Sequence, residues 1–361
     1  MDQDATNCSD SGANQTHSAC IPSDETVQQL GRIGLMLMPY LNMFSWGIGV
    51  VGIVGNILTV LVFAKLGFAE TINISYVALA VSDLLCVLST MVTSFLFSPA
   101  MRALLHHYRV QVDLVKFANF TSFLPQFAFS RTTAFLTAWI SLERCLCVLF
   151  PTRVRLIITR RVTKLVVFAI FVLGCGPAVL ECVTMETDWR FDPDTNTTTL
   201  LIYHSLKKGS DVYHGIYIIL YGAVYPLLSW IMVTVCTIFL VTKLRDSAKW
   251  RKANAYVNST TNRSAPKTHR NARRGENRTT KTVVMIACMF IVCSLPKSVQ
   301  SLMGLAFRNV YSVYGSLRLL FVTNAAFALV FMEINSSLNI IFYSITGAKF
   351  RSTLKKMFLK K

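Results

Sequence analysis

Long apolar stretches alternate with short polar segments along the chain. Seven stretches are long enough to cross a bilayer as an α-helix, which takes about 20 apolar residues. They cover approximately residues 41–65, 72–98, 115–149, 162–182, 212–242, 280–305 and 314–344. The pattern predicts an all-α membrane protein built as a seven-transmembrane helix bundle.

The polar segments divide the chain into three parts. Residues 1–40 are expected to form a flexible, glycosylated amino-terminal segment, and residues 41–345 the bundle. Within the bundle, residues 244–279 are basic and rich in Asn, Ser and Thr, which predicts a flexible loop. Residues 346–361 interleave apolar side chains with Lys and Arg, which predicts a short amphipathic eighth helix on the membrane surface and a tail.

Composition supports the membrane assignment. Of the 361 residues, 53% are hydrophobic and 15% are charged, whereas soluble domains have about 25% charged residues. A disordered chain lacks so much apolar sequence. The formal net charge of +18 would suggest nucleic-acid binding in a soluble protein, so the position of the positive charges is decisive.

The positive charges lie mainly in alternate loops. Residues 65–71, 150–164, 243–281 and 346–361 hold twenty-four Lys and Arg, and the other four segments, 1–40, 98–114, 183–211 and 306–318, hold eight. Positive loops stay in the cytoplasm. We therefore expect a plasma-membrane protein with its amino terminus outside, and we expect the charge to face lipid headgroups and a cytoplasmic partner rather than nucleic acid.

Several residues on the predicted outer side are candidates for glycosylation or disulfide formation. The glycosylation motifs in this group begin at Asn7, Asn14 and Asn196. Cys8, Cys20 and Cys182 face the same oxidising side, where disulfides form. Three thiols leave one unpaired, and either Cys8–Cys20 or Cys182 with one of them is compatible with the spacing.

Polar residues inside the spans are few and fall into motifs. They include Gly55-Asn56-Ile57-Leu58-Thr59-Val60, Leu79-Ala80-Val81-Ser82-Asp83-Leu84-Leu85, Glu143-Arg144-Cys145, and Asn335-Ser336-Ser337-Leu338-Asn339-Ile340-Ile341-Phe342-Tyr343. Pro226 and Pro296 interrupt spans five and six, and Phe290 lies six residues before Pro296. In this order, the motifs resemble those of rhodopsin-like (class A) G-protein-coupled receptors across nearly the whole chain.

The chain also departs from that family pattern. Ser294, Ile340, Thr234 and Asn119 stand where the family usually has Trp, Pro, Tyr and Cys. The phrases Ser141-Leu142-Glu143-Arg144-Cys145 and Lys249-Trp250-Arg251-Lys252 are similar to those of molluscan candidate chemosensory receptors and, less closely, of invertebrate neuropeptide receptors. The resemblance implies a receptor for an extracellular small molecule or peptide, with a heterotrimeric G protein as partner.

The resemblance also implies a cytoplasmic switch. Its residues are Glu143, Arg144, Asn339 and Tyr343, and the Arg is held by acidic neighbours until activation. Glu276 lies twenty residues before Pro296, at the base of span six. An Arg144–Glu276 ion pair between spans three and six is therefore one hypothesis, since a carboxylate binds a guanidinium in a bidentate manner; the alternative is that Glu276 is one charge in a basic loop.

A second set matches the family's sodium pocket: Asp83, Thr133, Asn335, Ser336 and Asn339. Thr133 lies eleven residues before Arg144, about three helical turns, so both share the interior face. Sodium is a hard cation that takes oxygen ligands, and no other cofactor is expected. The alternative is a polar network filled with water.

The candidate ligand pocket combines Gln126, Lys297, Glu333 and Trp189. Gln126 lies five turns before Arg144 and faces the interior; amine receptors of the family have Asp there, which argues against an amine ligand. Lys297 and Glu333 either pair with each other or bind opposite ends of a polar or zwitterionic ligand. Arg131 is expected to have an internal partner.

Other classes fit the sequence less well. No His-Glu or Ser-His set or phosphate-binding loop indicates an enzyme, and the absence of an internal repeat disfavours a transporter. A channel would predict ion flux. Retinal attachment is disfavoured because Glu333 stands where visual pigments have Lys.

Overall fold

A computed structural model describes residues 24–150, 153–193, 196–204, 209–258, 267–312 and 315–358. It contains seven helices that are long and apolar enough to cross a membrane, here numbered spans 1 to 7: Gln29–Leu66, Thr71–Leu96, Leu114–Leu149, Arg160–Val183, Val212–Asp246, Arg278–Ala306 and Arg318–Thr346. The sequence therefore predicted the number, order and type of these elements correctly. The helical segments themselves are Asp24–Leu66, Thr71–Leu96, Pro99–His107, Leu114–Ala118, Leu124–Leu149, Val154–Ile157, Arg160–Val183, Ser210–Ile219, Tyr225–Asn258, Lys267–Ala306, Arg318–Ser337, Asn339–Thr346 and Ala348–Phe358.

Three helices extend beyond the predicted span boundaries. The first begins at Asp24, inside the segment 1–40 that was expected to be flexible. The helix of span 5 continues to Asn258 and that of span 6 begins at Lys267, so most of the predicted flexible loop 244–279 has helical backbone. Adding a residue to an existing helix costs far less than nucleating one, which explains why polar sequence continues these helices.

Spans 3 and 5 each contain one π-helical turn. These turns cover Asn119–Phe123 and Leu220–Val224. The second turn directly precedes Pro226, whose ring nitrogen cannot donate the hydrogen bond of a regular helix. A π-turn inserts one residue and rotates the helix that follows. It therefore determines which side chains of span 5 face the bundle.

The lipid-facing surface is apolar and the interior carries the polar residues. Val50, Val54, Ile57 and Leu61 of span 1 are each more than 40% exposed. Asn56, on the other face of the same helix, is 2% exposed. Spans 1 and 7 pack closely because of small residues: a Cβ on Gly52 would lie 2.2 Å from Ser337 Oγ.

A three-stranded sheet lies at one end of the bundle, which we call the sheet end. Its strands are β1 (Val110–Val112), β2 (Met185–Asp192) and β3 (Thr197–His204). The strand order is β1-β3-β2, with β3 parallel to β1 and antiparallel to β2. In the described strands β2 therefore forms an edge of the sheet. Leu200 and Ile202 of β3 are 7% and 6% exposed, so β3 buries one face.

The opposite end, which we call the Arg144 end, carries the predicted eighth helix. This helix covers Ala348–Phe358. Phe350 is 2% exposed and packs on the bundle, whereas Lys349 Nζ contacts Glu70 Oε1 at 2.8 Å on the surface. Arg351 Nη1 donates hydrogen bonds of 2.7 Å to the carbonyl oxygens of Ser344 and Ile345, which caps the end of span 7.

Candidate functional site

Asp83 is the centre of a polar network in the middle of the bundle. It is fully buried on span 2. Thr133 Oγ1 donates a hydrogen bond of 2.9 Å to Oδ1, and Asn339 Nδ2 donates one of 2.7 Å to Oδ2. The network therefore joins spans 2, 3 and 7, and it brings together three of the residues that the family resemblance grouped.

A small cavity lies beside this network. It is lined by Ser130, Thr133, Phe290, Cys293, Ser294, Met332, Asn335 and Ser336. Asn56 Nδ2 donates a hydrogen bond of 2.8 Å to the carbonyl oxygen of Ser336, which connects span 1 to the same region. One carboxylate, two hydroxyl groups and an amide oxygen from Asp83, Thr133, Ser336 and Asn335 form a set of hard oxygen donors, which fits a sodium ion.

Glu143 and Arg144 form an ion pair at the other end of span 3. Arg144 Nη2 lies 3.3 Å from Glu143 Oε1, and the two side chains are 12% and 0% exposed. Glu143 also accepts hydrogen bonds from Thr71 Oγ1 at 2.6 Å and from Ser75 Oγ at 3.3 Å. The carboxylate is thus fixed by span 2. Glu276 belongs to the helix Lys267–Ala306, but its side chain lies outside the part of the chain that the structure describes.

Tyr343 is part of an aromatic cluster next to this ion pair. The ring centroid of Tyr343 lies 4.9 Å from that of Tyr76 and 5.7 Å from that of Phe350, and Phe63 completes the group. Tyr343 is 2% exposed, and its hydroxyl has no hydrogen-bond partner among the described residues. Span 7 and the eighth helix are therefore packed against spans 1 and 2 through aromatic rings.

The predicted ligand-pocket residues do not come together as one group. Gln126 faces the interior as predicted, is fully buried, and its Nε2 donates 2.9 Å to Thr90 Oγ1. Within the residues that the structure describes, its Oε1 has no hydrogen-bond partner. Trp189 lies on β2 and is 60% exposed. Among the described residues, no contact joins Trp189 to Gln126 or to Lys297.

Lys297 and Glu333 do not form the predicted pair. Lys297 Nζ donates a hydrogen bond of 3.1 Å to Gln300 Oε1 and lies 4.7 Å from the ring centroid of Phe127. Glu333 is 1% exposed and its Oε2 accepts a hydrogen bond from Ser45 of span 1. Of the two alternatives, direct pairing is therefore wrong, because residue spacing places both side chains inside the bundle but does not determine which neighbouring span each one faces.

Arg131 also differs from expectation. It was expected to have an internal partner, but its guanidinium makes no ion pair within 4.0 Å among the described residues. The residue is 7% exposed, and its Nε has no hydrogen-bond partner in the part of the chain that the structure describes. Its position in an apolar span is the sequence signal that marked it as unusual.

Trp230 is a residue that the sequence did not single out. Its Nε1 donates a hydrogen bond of 2.8 Å to Ser294 Oγ. Ser294 stands where the family usually has Trp in span 6. Trp230 packs against a buried cluster that includes Val233 and Phe290. A tryptophan from span 5 thus contacts the part of span 6 where the family tryptophan is absent. The sequence did contain a signal for this contact. A tryptophan, Trp230, lies four residues after Pro226 in span 5, while Ser294 replaces the family tryptophan in span 6.

The remaining predicted residues lie at the sheet end or outside the described residues. Asn196 is exposed in the turn between β2 and β3, with a φ of 51°. Cys182 forms no disulfide bond with another described residue. Asn7, Asn14, Cys8 and Cys20 lie outside the residues that the structure describes, so their glycosylation and disulfide bonds stay predictions.

Comparison with known proteins identifies the family. The family model described as 7 transmembrane receptor (rhodopsin family) matches residues 55–343. A comparison with curated proteins found no match. The matched region contains the Asp83 network and the Glu143–Arg144 pair, and the family is one of receptors and not of enzymes. The chain belongs to the rhodopsin family of seven-transmembrane receptors, which respond to a ligand and signal through a heterotrimeric G protein.

Proposed function

We propose that this receptor detects an external chemical cue at the plasma membrane of a sensory cell, with the sheet end outside and the Arg144 end in the cytoplasm. The observation that carries the proposal is the presence of Gln126 and Lys297 on the inner faces of spans 3 and 6. Both have polar groups directed into the bundle, which suits a small polar ligand. The similarity to molluscan candidate chemosensory receptors supports the sensory role.

A neuropeptide is the second candidate ligand. Strand β2 forms an edge of the sheet, and Trp189 and Phe191 on it are 60% and 62% exposed. An extended peptide binds such an edge through main-chain hydrogen bonds and places alternate side chains on one face. This geometry favours a peptide over other macromolecular ligands. Ion or solute flux, which a channel or transporter would show, is not expected.

The two candidates are separated by a ligand screen and by the site of expression. Membranes that contain the receptor and a purified G protein should show guanine-nucleotide exchange that rises on addition of the ligand. Expression in sensory epithelium with activation by small molecules supports the chemosensory role. Expression restricted to central ganglia with activation only by peptides contradicts it and supports a neuropeptide receptor.

The switch is proposed to act through Arg144. At rest, Glu143 holds the guanidinium, and Glu276 at the base of span 6 is proposed as a second acidic partner. Release of Arg144 then exposes a cation to the G protein. Replacing Glu276 by Ala should raise ligand-free nucleotide exchange severalfold, because one of two restraints is removed. Unchanged basal exchange at equal surface expression would contradict the second partner.

A sodium ion is proposed to stabilise the resting state. Asp83, Thr133, Asn335 and Ser336 would hold it, and Asn339, which donates to Asp83 Oδ2, would orient the carboxylate. The ion supplies positive charge that offsets the buried carboxylate. Raising sodium chloride, compared with choline chloride at equal ionic strength, should raise the melting temperature of the purified receptor. Asp83→Asn should abolish that difference; a sodium effect that persists in Asp83→Asn contradicts this site.

A further inference from the structure

The buried charges of the bundle are unevenly paired. Four buried carboxylates lie in the spans, and each has a partner: Asp83 with Thr133 and Asn339, Glu143 with Arg144, Glu181 with His214, and Glu333 with Ser45. Arg131 and Lys297, in contrast, have no carboxylate within 4.0 Å among the described residues. These two cations are therefore not neutralised by the described part of the chain.

Arg131 and Lys297 also lie near each other. Lys297 Nζ of span 6 lies 4.7 Å from the ring centroid of Phe127, and Phe127 precedes Arg131 on span 3 by four residues, so the two share one face of that helix. Two like charges in a medium of low dielectric repel each other strongly. Placing even one unpaired charge in a membrane span costs about 2.5–3.5 kcal/mol on insertion scales. Such an arrangement is unfavourable for stability alone, which points to a ligand of opposite charge.

The two carboxylates nearest the sheet end face away from the cations. Glu333 receives a hydrogen bond from Ser45, and a Cβ on Gly49 would lie 2.9 Å from its Oε1, so it is directed toward span 1. Glu181 Oε1 lies 2.8 Å from His214 Nδ1, between spans 4 and 5. No negative group of the described residues is thus available beside Lys297. This arrangement favours an anion over a zwitterion.

The surroundings of the cations are aromatic. Lys297 lies over the ring of Phe127, which stacks on Phe123 at a centroid distance of 6.3 Å. Phe127 and Tyr217 both pack against the buried cluster that contains Ala128 and Tyr221, and phenols are uncharged near neutral pH. The Nε of Arg131, in a side chain that is more than nine-tenths buried, has no hydrogen-bond partner among the described residues. A guanidinium in this state is a donor for a carboxylate oxygen.

We propose that the activating ligand carries a carboxylate, bound by Arg131 and Lys297, next to an aromatic or apolar body that packs on Phe127 and Tyr217. The inference rests on the proposed function, because it assigns the ligand class of the same site. The carboxylate belongs either to a free organic acid or to the carboxyl terminus of a peptide, since both present the same group to the two cations.

The test uses the purified full-length receptor in detergent micelles. Its melting temperature is measured with indole-3-acetate, 4-phenylbutyrate and hexanoate, with their primary amides, and with a library of short peptides in free-acid and amidated forms. A compound that binds only the folded receptor raises the melting temperature with its concentration. We expect acids to stabilise the receptor and their matched amides to have no effect. Equal stabilisation by acids and amides, or none by any acid, overturns the proposal.

Variants connect the effect to the two residues. Arg131→Gln and Lys297→Gln should each raise the half-maximal concentration of the acid by roughly tenfold or more, because each removes one charged hydrogen bond. Lys116→Gln, which removes an exposed cation of span 3 paired with Asp113, is the matched control and should bind normally. Without ligand, both site variants should melt at or above the wild-type temperature because repulsion is relieved. Lower melting temperatures together with normal acid binding would indicate a merely structural role and overturn the proposal.

The same experiment separates this inference from the proposed function. Stabilisation by free organic acids supports both. Stabilisation only by peptides with a free carboxyl terminus supports the carboxylate site but contradicts the chemosensory role. A receptor that catalyses nucleotide exchange in response to uncharged cues, and that no acid stabilises, retains the chemosensory role and overturns the carboxylate site.

Discussion

At the scale of single residues, the contacts of Glu143 explain how Arg144 is restrained. The carboxylate is fully buried, receives two hydrogen bonds from span 2 and forms the ion pair with Arg144. An exposed ion pair contributes about 0–1 kcal/mol, whereas a buried carboxylate held by donors on a neighbouring helix is much harder to displace. The strength of the restraint therefore depends on span 2 as well as on the sequence neighbour of Arg144.

Replacing Glu143 by Gln should release Arg144. The amide keeps the size of the side chain but removes the negative charge that attracts the guanidinium. We expect ligand-free guanine-nucleotide exchange, measured in membranes at matched receptor density, to increase severalfold. Glu70→Gln is the matched control, because Glu70 is an exposed carboxylate at the same end that pairs with Lys349. Equal basal exchange in Glu143→Gln and wild type would contradict the proposed restraint.

Residue spacing predicted some of these contacts and missed others. The family resemblance grouped Asp83, Thr133 and Asn339, and the three-turn spacing placed Thr133 on the interior face; the structure brings the three together. Direct pairing of Lys297 with Glu333 was one of two alternatives and does not occur, since Lys297 contacts Gln300 and Glu333 contacts Ser45. A spacing determines a direction from one helix axis, whereas a contact requires the relative rotation of two helices.

At the scale of helices, the approach of span 1 to span 7 depends on glycine. Gly52 lies against Ser337, and Gly49 against Glu333 and Met91. Small residues let helix backbones approach closely, and van der Waals packing then stabilises the pair in lipid. The hydrogen bond from Asn56 to the Ser336 carbonyl oxygen, at 2.8 Å, requires the same close approach. Span 1 thereby contacts the part of span 7 that contributes Asn339 to the Asp83 network.

Gly52→Ala should therefore destabilise the receptor. The new Cβ would lie 2.2 Å from Ser337 Oγ, so the two helices must separate or the serine must turn. We expect a loss of about 1–3 kcal/mol in the free energy of unfolding, as in other overpacked cores. Thermal and denaturant unfolding of the purified receptor measure this loss.

Gly47→Ala is the matched control for that change. A Cβ at Gly47 on the same helix meets nothing within 4 Å. Alanine is a better helix former than glycine, so this variant should be as stable as wild type or slightly more stable. If Gly52→Ala matches Gly47→Ala in stability, the two spans do not require the close contact. Recovery of stability in the double variant Gly52→Ala with Ser337→Gly would assign the loss to this one pair.

Spans 5 and 6 show a contact that the sequence pattern did not suggest. The hydrogen bond between Trp230 and Ser294 and the packing of Trp230 with Phe290 join the two helices near the cavity. Family motifs locate side chains that occupy standard positions. They do not indicate which neighbouring helix contacts a position when the usual side chain is absent. The physical reason is that a side chain from span 5 or from span 6 can fill the same space between the two helices.

At the scale of the whole molecule, charge asymmetry predicts the topology. The net charge of +18 comes mainly from segments that join the spans at the Arg144 end and from the carboxyl-terminal residues. Moving such clusters through a bilayer is unfavourable, so we expect them on the cytoplasmic side. With that orientation, the sheet end, where Asn196 is exposed between β2 and β3, would be accessible to the glycosylation machinery of the lumen.

Asn196→Gln tests this orientation. If the sheet end faces the lumen, the substitution should abolish one glycan and increase the electrophoretic mobility of the receptor expressed in eukaryotic cells. Asn258 also begins a glycosylation motif but lies in the basic segment between spans 5 and 6, so Asn258→Gln should not change the mobility. The reverse result, a shift for Asn258→Gln only, would invert the proposed topology.

The sequence alone determined the number, order and apolar character of the spans, their expected direction, and the short set of polar residues inside them. These properties depend on the free energy of transfer of each residue into lipid, which is local to the sequence. The tertiary structure decided which of those polar residues satisfy one another. Glu333 contacts Ser45 and Lys297 contacts Gln300, while the guanidinium of Arg131 is left without a carboxylate among the described residues. Such pairing depends on helix rotation, on π-turns and on glycine contacts, which act between distant parts of the chain.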